Sequence, residues 1–176
     1  MRSYLITADL STLSKSLGKY RPAFALYRDK SNSEYKKGAI RFLELCRAAE
    51  NTKTFLHQDY LLAKELGADG VHLTSTQFDR IEKAKSLGLE VTISTHTHEE
   101  VKKAQDLGAD YVTYSPIFAS PNKGKPKGIE DLQALVKKAD IKVIALGGIV
   151  TKEHIKQVEN ANAYAFASIR YFEDLS

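Results

Sequence analysis

Cysteine is almost absent from this chain of 176 residues, in which Cys46 is the only one. A single cysteine cannot form a disulfide within the chain or supply the several thiolates of a metal cage. Cys46 lies in the apolar-patterned stretch 39–49, where we expect a packed helix thiol. The sequence therefore excludes a disulfide framework or a thiolate metal site built from this chain alone.

Long apolar runs are also missing, because none approaches the roughly twenty residues that span a membrane. Residues 1–9 look like the start of a strand and not like a signal peptide. We therefore expect a cytoplasmic protein with no membrane segment.

The net charge is +4, yet no aromatic and basic motif of a known nucleic-acid module is present. Basic residues alternate with acidic ones along the predicted helices, as on a solvated helix face. We therefore expect no nucleic-acid partner, and a small phosphorylated molecule suits the positive charge better.

Strand and helix signals alternate along the chain about every twenty residues, which is typical of successive βα units. The segment Leu66-Gly-Ala-Asp-Gly-Val71 recurs as Leu107-Gly-Ala-Asp-Tyr-Val112. The pattern predicts one α/β domain over 1–176, a (β/α)8 TIM barrel. Its predicted strands are 3–8, 22–28, 53–57, 70–73, 90–95, 111–117, 142–147 and 163–168.

Helices are predicted at 12–18, 33–49, 59–66, 76–86, 98–107, 129–138 and 151–159. Barrels of this kind usually have about 200 residues or more, so we expect a compact version. The first crossover, 10–21, is shortened, and only 170–176 remain for a truncated last helix. An apolar flank left uncovered there would favour self-association, for example as a homodimer.

Three successive predicted strands end at groups that bind anions. The strand 111–117 leads into a lysine-rich loop, the next ends at Gly147 and Gly148, and the last ends at Ser168. In these barrels, loops after the last strands often hold phosphate, and glycine lets backbone N–H groups approach it closely. The pattern predicts a phosphate site at this end of the barrel.

Several segments together resemble the thiamine phosphate synthase family, which includes the thiazole tautomerases. They are 27–30, 67–73, Ser94-Thr-His96, 115–123, Gly128 and 145–149. The resemblance covers essentially the whole chain. It implies a TIM-barrel transferase of thiamine biosynthesis that joins thiazole phosphate to hydroxymethylpyrimidine diphosphate.

The resemblance also implies roles for individual residues. Arg28 and Lys30 match a Gln-x-Arg-x-Lys signature that grips the diphosphate, although Leu26 replaces the Gln. Surface charges, or a pair with Asp9, are the alternative interpretations. Arg28, Lys30 and Lys123 are therefore expected to be catalytic. Further implied ligands of the diphosphate, the thiazole phosphate and the neighbouring loops are Ser94, Ser120, Asn122, Gly128, Gly147, Gly148 and Ser168.

Two catalytic features of the family are incomplete. Gln58 and Gln77 stand where the family has carboxylates for Mg2+, so no metal ligand is predicted, although Mg2+ stays open as a cofactor. Asp59 is more simply a helix N-cap. Pro116 stands where the tautomerases have a general acid/base histidine.

Of the five histidines, His57 is the one that lies at a predicted strand end where this chain departs from the family, and we predict a catalytic role for it. His72 is either a satisfied core histidine or a site residue. His96 is expected to brace its loop, and His98 and His154 are expected to be solvated.

Three functions follow from these observations. The first is a thiamine biosynthesis enzyme that forms thiamine phosphate from its two phosphorylated substrates. The second is a degenerate, tautomerase-like protein that binds thiazole phosphate or thiamine phosphate as a carrier or regulator without catalysis. The third is another phosphate-sugar barrel such as an epimerase, for which only His57 and His72 hint at a metal pair.

Overall fold

The computed structural model describes all residues from Met1 to Ser176. Eight parallel strands form a closed barrel in sequence order, and each strand pairs with the next and β8 pairs with β1. The strands are β1 (Arg2–Thr7), β2 (Phe24–Tyr27), β3 (Lys53–His57), β4 (Gly70–Leu73), β5 (Glu90–Thr95), β6 (Tyr111–Tyr114), β7 (Lys142–Leu146) and β8 (Ala165–Ser168). The predicted (β/α)8 TIM barrel is confirmed.

Seven α-helices connect these strands, as the sequence pattern predicts. They are α1 (Leu13–Tyr20), α2 (Tyr35–Cys46), α3 (Tyr60–Leu66), α4 (Ile81–Ser86), α5 (His98–Asp106), α6 (Ile129–Lys138) and α7 (Lys152–Asn160). A 3-10 turn, Phe78–Arg80, leads into α4. None of the helices is long and apolar enough to cross a membrane.

Several predicted boundaries are too wide. β6 ends at Tyr114 and not at residue 117, because Pro116 has no N–H for the strand ladder. β2 begins at Phe24, two residues after Pro22, and ends before Arg28. α2 is shorter than the predicted 33–49 at both ends.

Alternate residues along each strand divide the core into two layers. Inward residues such as Tyr4, Ile6, Phe24, Leu26 and Phe55 fill the barrel. Their neighbours in sequence pack outward against the helices in a larger cluster. Since successive strand side chains point to opposite faces, the residue two positions after the last inward residue of a strand faces the barrel mouth.

The repeated Gly-Ala-Asp segments end a helix and then secure the preceding strand. Gly67 has a φ of +76°, which closes the end of α3 at little steric cost. The carboxylate of Asp69 then accepts a 2.8 Å hydrogen bond from the N–H of Thr54. Asp110 does the same for the N–H of Val91 at 2.8 Å. In both copies of the internal repeat, the aspartate therefore joins its βα unit to the strand before it.

The C-terminal flank is covered in part, although Ile169 keeps 42% of its surface exposed. A 3-10 helix, Arg170–Glu173, takes the place of a full last helix and buries Phe172. Phe172 meets the ring of Tyr20 edge-on, and its carbonyl accepts a 3.1 Å hydrogen bond from Ser16. The short first crossover and the short last helix thus pack on each other.

Candidate functional site

The candidate site is a cavity of about 400 Å3 at the carboxyl ends of the strands, where TIM-barrel active sites lie. Its volume suits a small organic ligand. Nine of the predicted site residues line it: Arg28, Lys30, His57, Ser94, Ser120, Lys123, Gly147, Gly148 and Ser168.

Two predicted site residues lie outside the cavity. Asn122 is exposed on the loop after β6, at a φ of +59°. Gly128 is the N-cap of α6, and its N–H donates a 3.0 Å hydrogen bond to the carbonyl of Ile117. Of the loop from 121 to 128, only Lys123 lines the cavity.

Three cations, Arg28, Lys30 and Lys123, form what we call the cation cluster of the cavity. None of them makes an ion pair with a carboxylate. The charge of Arg28 is the largest cause that lowers the pKa of Lys30, followed by burial and by Lys123. Burial lowers the pKa of Arg28 itself. The cluster is therefore a site of mutual repulsion that an anion would relieve.

Neither Asp9 nor Asp29 neutralises the positive charge of this cluster. The Asp9 carboxylate accepts hydrogen bonds from the N–H and the hydroxyl of Ser11, at 2.9 and 2.7 Å. The Asp29 carboxylate accepts a 3.3 Å bond from the hydroxyl of Tyr27. A pair between Arg28 and Asp9 is therefore wrong, and the positive charge of the cluster is available to a ligand.

The turn after β7 presents hydrogen-bond donors of a second kind, from the backbone. The backbone N–H groups of Gly147, Gly148 and Ile149 donate to no acceptor within the protein. Gly147 and Gly148 have φ angles of +102° and +68°. A Cβ at Gly147 would lie 2.7 Å from the Cα of Pro116, and one at Gly148 would lie 2.4 Å from the carbonyl oxygen of Ala119. Only glycine fits this turn, and consecutive free N–H groups of this kind bind anions.

Ser168 lines the cavity next to this turn, but its hydroxyl is already engaged. It donates a 2.8 Å hydrogen bond to the carbonyl of Ile149 and accepts a 3.2 Å bond from the N–H of Tyr171. Ser168 therefore fixes the loop after β7 against the chain after β8. This fixed geometry keeps the N–H groups of the glycine turn at the cavity wall.

His57 and His72 lie side by side at the ends of β3 and β4, with ring centroids 6.4 Å apart. The ring nitrogens of His57 have no partner within the protein, and the ring lines the cavity. Burial, with Arg28 and Lys30 as smaller causes, lowers the pKa of His57 to about 4. His57 is therefore neutral near pH 7 and offers one donor and one acceptor to a ligand.

His72 is a satisfied core histidine that also reaches the cavity. Its Nδ1 lies 2.9 Å from the hydroxyl of Tyr4, and its Nε2 lies 3.0 Å from the hydroxyl of Ser94. Burial lowers the pKa of His72 to about 3. The pair of His72 and Ser94 therefore presents a fixed hydroxyl at the end of β5.

The other histidines have structural roles. The Nδ1 of His96 lies 3.1 Å from the carbonyl oxygen of Ser115 and braces two loops, as predicted. The expectation that His98 and His154 are solvated holds only in part, because both side chains are half-buried. His98 contacts Asp131 at 3.0 Å, and His154 stacks on Phe118 with ring centroids 4.2 Å apart. Both partners come from another part of the chain, which local patterning does not reveal.

The floor of the cavity is apolar on the side of β1, β2, β7 and β8. Ile6, Leu26, Leu146 and Ala167 form it, opposite the polar ends of β3 to β5. Sequence reasoning missed Thr74, Ser75 and Arg170, which also line the cavity. Their positions just after β4 and β8 were the signal that could have found them.

The residues present do not fit a bound Mg2+ ion. Gln77 is committed to loop contacts: its Oε1 accepts a 3.0 Å bond from the N–H of Thr74, and its Nε2 donates to the carbonyl of Gln58 at 3.3 Å. Asp59 caps α3 through a 2.9 Å bond from the N–H of Leu62, as predicted. No cluster of three or more acidic, histidine or cysteine side chains is arranged for a metal.

Two solved structures share the fold. Thiamine phosphate pyrophosphorylase from Pyrococcus furiosus matches with a TM-score of 0.85 and 23% identity over 99% of this chain and 91% of that one. N-acetylmannosamine-6-phosphate 2-epimerase from Clostridium perfringens matches with a TM-score of 0.75 and 14% identity, over 97% and 87% of the two chains. At these identities the likeness concerns the fold alone.

The family model of thiamine monophosphate synthase matches residues 3–172. Thiamine-phosphate synthase of Caldicellulosiruptor saccharolyticus is 36% identical over 148 residues, which are 78% of this chain and 64% of the relative. The chain thus spans somewhat less than two thirds of this relative's length. Because the family model covers almost every residue, the chain belongs to the thiamine monophosphate synthase family.

Proposed function

We propose that this protein acts in thiamine biosynthesis, where it binds thiazole phosphate and hydroxymethylpyrimidine diphosphate in one cavity and joins them into thiamine phosphate. The observation that carries the proposal is that a cluster of cations without carboxylate partners and a turn with free backbone N–H groups lie around one apolar floor. The cation cluster suits a diphosphate, and the turn at Gly147 and Gly148 suits a monophosphate. A protein with a single phosphorylated substrate would need only one of them.

The proposed reaction places its charge where the cations are. The thiazole nitrogen forms a bond to the pyrimidine methylene carbon, and the bond from that carbon to the diphosphate oxygen breaks. The electron pair of the broken bond leaves with the diphosphate, which gains negative charge. Arg28, Lys30 and Lys123 would stabilise that charge, because fixed cations in a partly desolvated site act most strongly on charge that develops in the transition state.

The remaining cavity residues would orient the two rings. The apolar side chains of Ile6, Leu26 and Leu146 give the rings a surface to pack on. The neutral ring of His57 can accept or donate one hydrogen bond to a polar heterocycle at the end of β3. The Ser94 hydroxyl, held by His72, adds a second fixed polar contact.

A second candidate function is binding of thiazole phosphate or thiamine phosphate without catalysis, as a carrier or regulator. The observation in its favour is that both family signatures for chemistry are altered while the anion sites remain. Gln58 and Gln77 replace carboxylates, and Pro116 replaces the tautomerase histidine. A protein that only binds needs neither group.

Calorimetric titration with each substrate, followed by an assay for thiamine phosphate, tests these proposals. We expect thiazole phosphate and the pyrimidine diphosphate to bind together, and product to form with a turnover below about 1 per second, the lower end of ordinary enzymes. Binding without any product would favour the carrier. Failure of both substrates to bind would contradict both functions.

A cytoplasmic location, expected from the sequence, forms part of the proposal. Homodimer formation also stays a prediction. The large apolar side chains that remain exposed are those of Met1, Ile40, Leu61 and Ile169. Sedimentation analysis of the purified protein would decide the oligomeric state.

A further inference from the structure

We propose, on the basis of the function proposed above, that the cation cluster holds the diphosphate without a divalent metal and that the Gln77 side chain takes the place of a metal as the link between two loops. The loops concerned follow β3 and β4. Gln77 is a positioning residue in this proposal, because it touches loop atoms and not the ligand.

The first support is the geometry of Gln77. Its amide joins the carbonyl of Gln58, at the end of β3, to the N–H of Thr74, at the end of β4. A third contact, 3.4 Å from the Thr74 hydroxyl to Oε1, adds to this link. Oxygen ligands from the same two loops would meet on a hard cation if the side chain were a carboxylate. Here the Gln77 amide nitrogen donates a hydrogen bond to the Gln58 carbonyl, in the place where a cation would otherwise bind oxygens of both loops.

The second support is charge. A diphosphate ester carries roughly two to three negative charges near pH 7, because the last ionisation of a phosphate group lies near pH 6. Arg28, Lys30 and Lys123 supply three positive charges, and no carboxylate pairs with them. The charges of ligand and protein therefore balance without a metal.

A divalent ion would upset this balance. It would add two positive charges to a site where the charges of Arg28 and Lys123 already lower the pKa of Lys30. In the family the metal is tolerated because carboxylates accompany it, and here Gln58 and Gln77 are neutral. Repulsion between like charges would oppose binding of the ion.

Titration calorimetry with inorganic pyrophosphate, in chelator and again with MgCl2, tests the proposal. We expect the dissociation constant in chelator to be equal to that with Mg2+ or smaller, because Mg2+ also competes for pyrophosphate in solution. Binding that is more than tenfold tighter with Mg2+ would overturn the inference and leave the proposed function standing. Absence of pyrophosphate binding under both conditions would also overturn it, and a parallel titration with thiazole phosphate then reports separately on the proposed function.

Gln77→Glu tests the role of the amide, because it keeps the shape of the side chain and replaces the donor by a carboxylate oxygen. We expect this variant to melt at a lower temperature than wild type in chelator and to regain part of the difference with Mg2+, while the melting temperature of wild type does not respond to Mg2+. Gln77→Ala is the control, since it removes the link without offering a ligand and should not respond to Mg2+. Equal melting temperatures of Gln77→Glu with and without Mg2+ would overturn the assignment of Gln77 as the replacement for a metal.

Discussion

The Nε2 atom of His72 lies 3.0 Å from the Oγ atom of Ser94 and joins a buried histidine of β4 to a serine that lines the cavity. The Nδ1 atom of the same ring is bound to the Tyr4 hydroxyl inside the barrel. Both ring nitrogens are therefore occupied, and burial keeps the ring neutral. The polar lining of the cavity thus depends on a hydrogen-bond chain that starts in the barrel core.

The two neutral histidines should make the stability of the fold sensitive to acid. An ordinary histidine has a pKa of about 6.5 when unfolded. In the folded protein the pKa is about 4 for His57 and about 3 for His72. The unfolded chain therefore binds more protons below pH 6.5, and the free energy of unfolding falls as the pH is lowered from there towards 4. Above pH 6.5 the full stability is present.

We expect a loss of about 1–2 kcal/mol for each of these histidines between pH 7.5 and pH 5. Urea denaturation at both pH values, in a buffer free of phosphate, measures it. Over this interval the His57→Asn variant should lose about 1–2 kcal/mol less stability than wild type, which is the contribution of one histidine. Identical losses in wild type and variant would contradict a low pKa for His57.

Arg28→Ala should weaken pyrophosphate binding by about 1.5–3 kcal/mol, the usual worth of a hydrogen bond to a charged group. The melting temperature in buffer should not fall, because Arg28 has no carboxylate partner to leave unpaired and the substitution relieves repulsion with Lys30. Melting curves with and without pyrophosphate measure both effects. A variant that is destabilised in buffer but still protected as well as wild type would show that Arg28 has a structural role instead.

Lys123→Ala should also weaken pyrophosphate binding, whereas Lys125→Ala should leave it almost unchanged. Both lysines are exposed on the same loop, but only Lys123 lines the cavity. The pair therefore separates a local contact from a general effect of net charge. Pyrophosphate titrations of both variants at low and high salt measure the difference, since salt screens long-range attraction. Equal losses in the two variants would mean that the loop acts only through its overall charge.

Gly148→Ala should be more damaging than Gly124→Ala, although the two glycines have nearly equal φ angles of +68° and +69°. The strain of a left-handed alanine, about 1–2 kcal/mol, is common to both. An added Cβ has open space at Gly124, whereas at Gly148 it would lie 2.4 Å from the carbonyl oxygen of Ala119. We expect a further loss of about 1–3 kcal/mol in stability at Gly148.

Binding of inorganic phosphate gives a second measure of the same pair. It should be lost in Gly148→Ala and retained in Gly124→Ala, because only the former disturbs the free N–H groups of the turn. Retention of phosphate binding in a folded Gly148→Ala protein would place the monophosphate elsewhere.

The barrel could be predicted because its signals are local. Helix stops such as Gly67 recur in several units, as Gly88 and Gly108 do, and the strands show a two-residue alternation, so errors in one boundary do not change the fold. Arg28 and Lys30 could be placed at the barrel mouth for the same reason, since side chains two residues apart on a strand point to the same face. The departure of Gln58 and Gln77 from the family pattern follows from their places in the sequence.

Other features of the site required the folded chain. The contact of His98 with Asp131 joins two helices. The hydroxyl of Ser168, which the sequence predicts to bind a ligand, donates its hydrogen bond to the carbonyl of Ile149 and holds that loop in place. Pro116 and Ala119, from the loop after β6, lie against the glycine turn after β7, whose N–H groups remain free. These contacts join different βα units.

The sequence by itself thus determined the eight βα units, the inward positions of their strands and the types of charge at the barrel mouth, since each depends on residues a few positions apart. Only the tertiary structure decided which hydrogen-bonding groups remain free for a ligand. A donor or acceptor is free when no partner from another unit reaches it, and that depends on how the loops of all eight units meet in space.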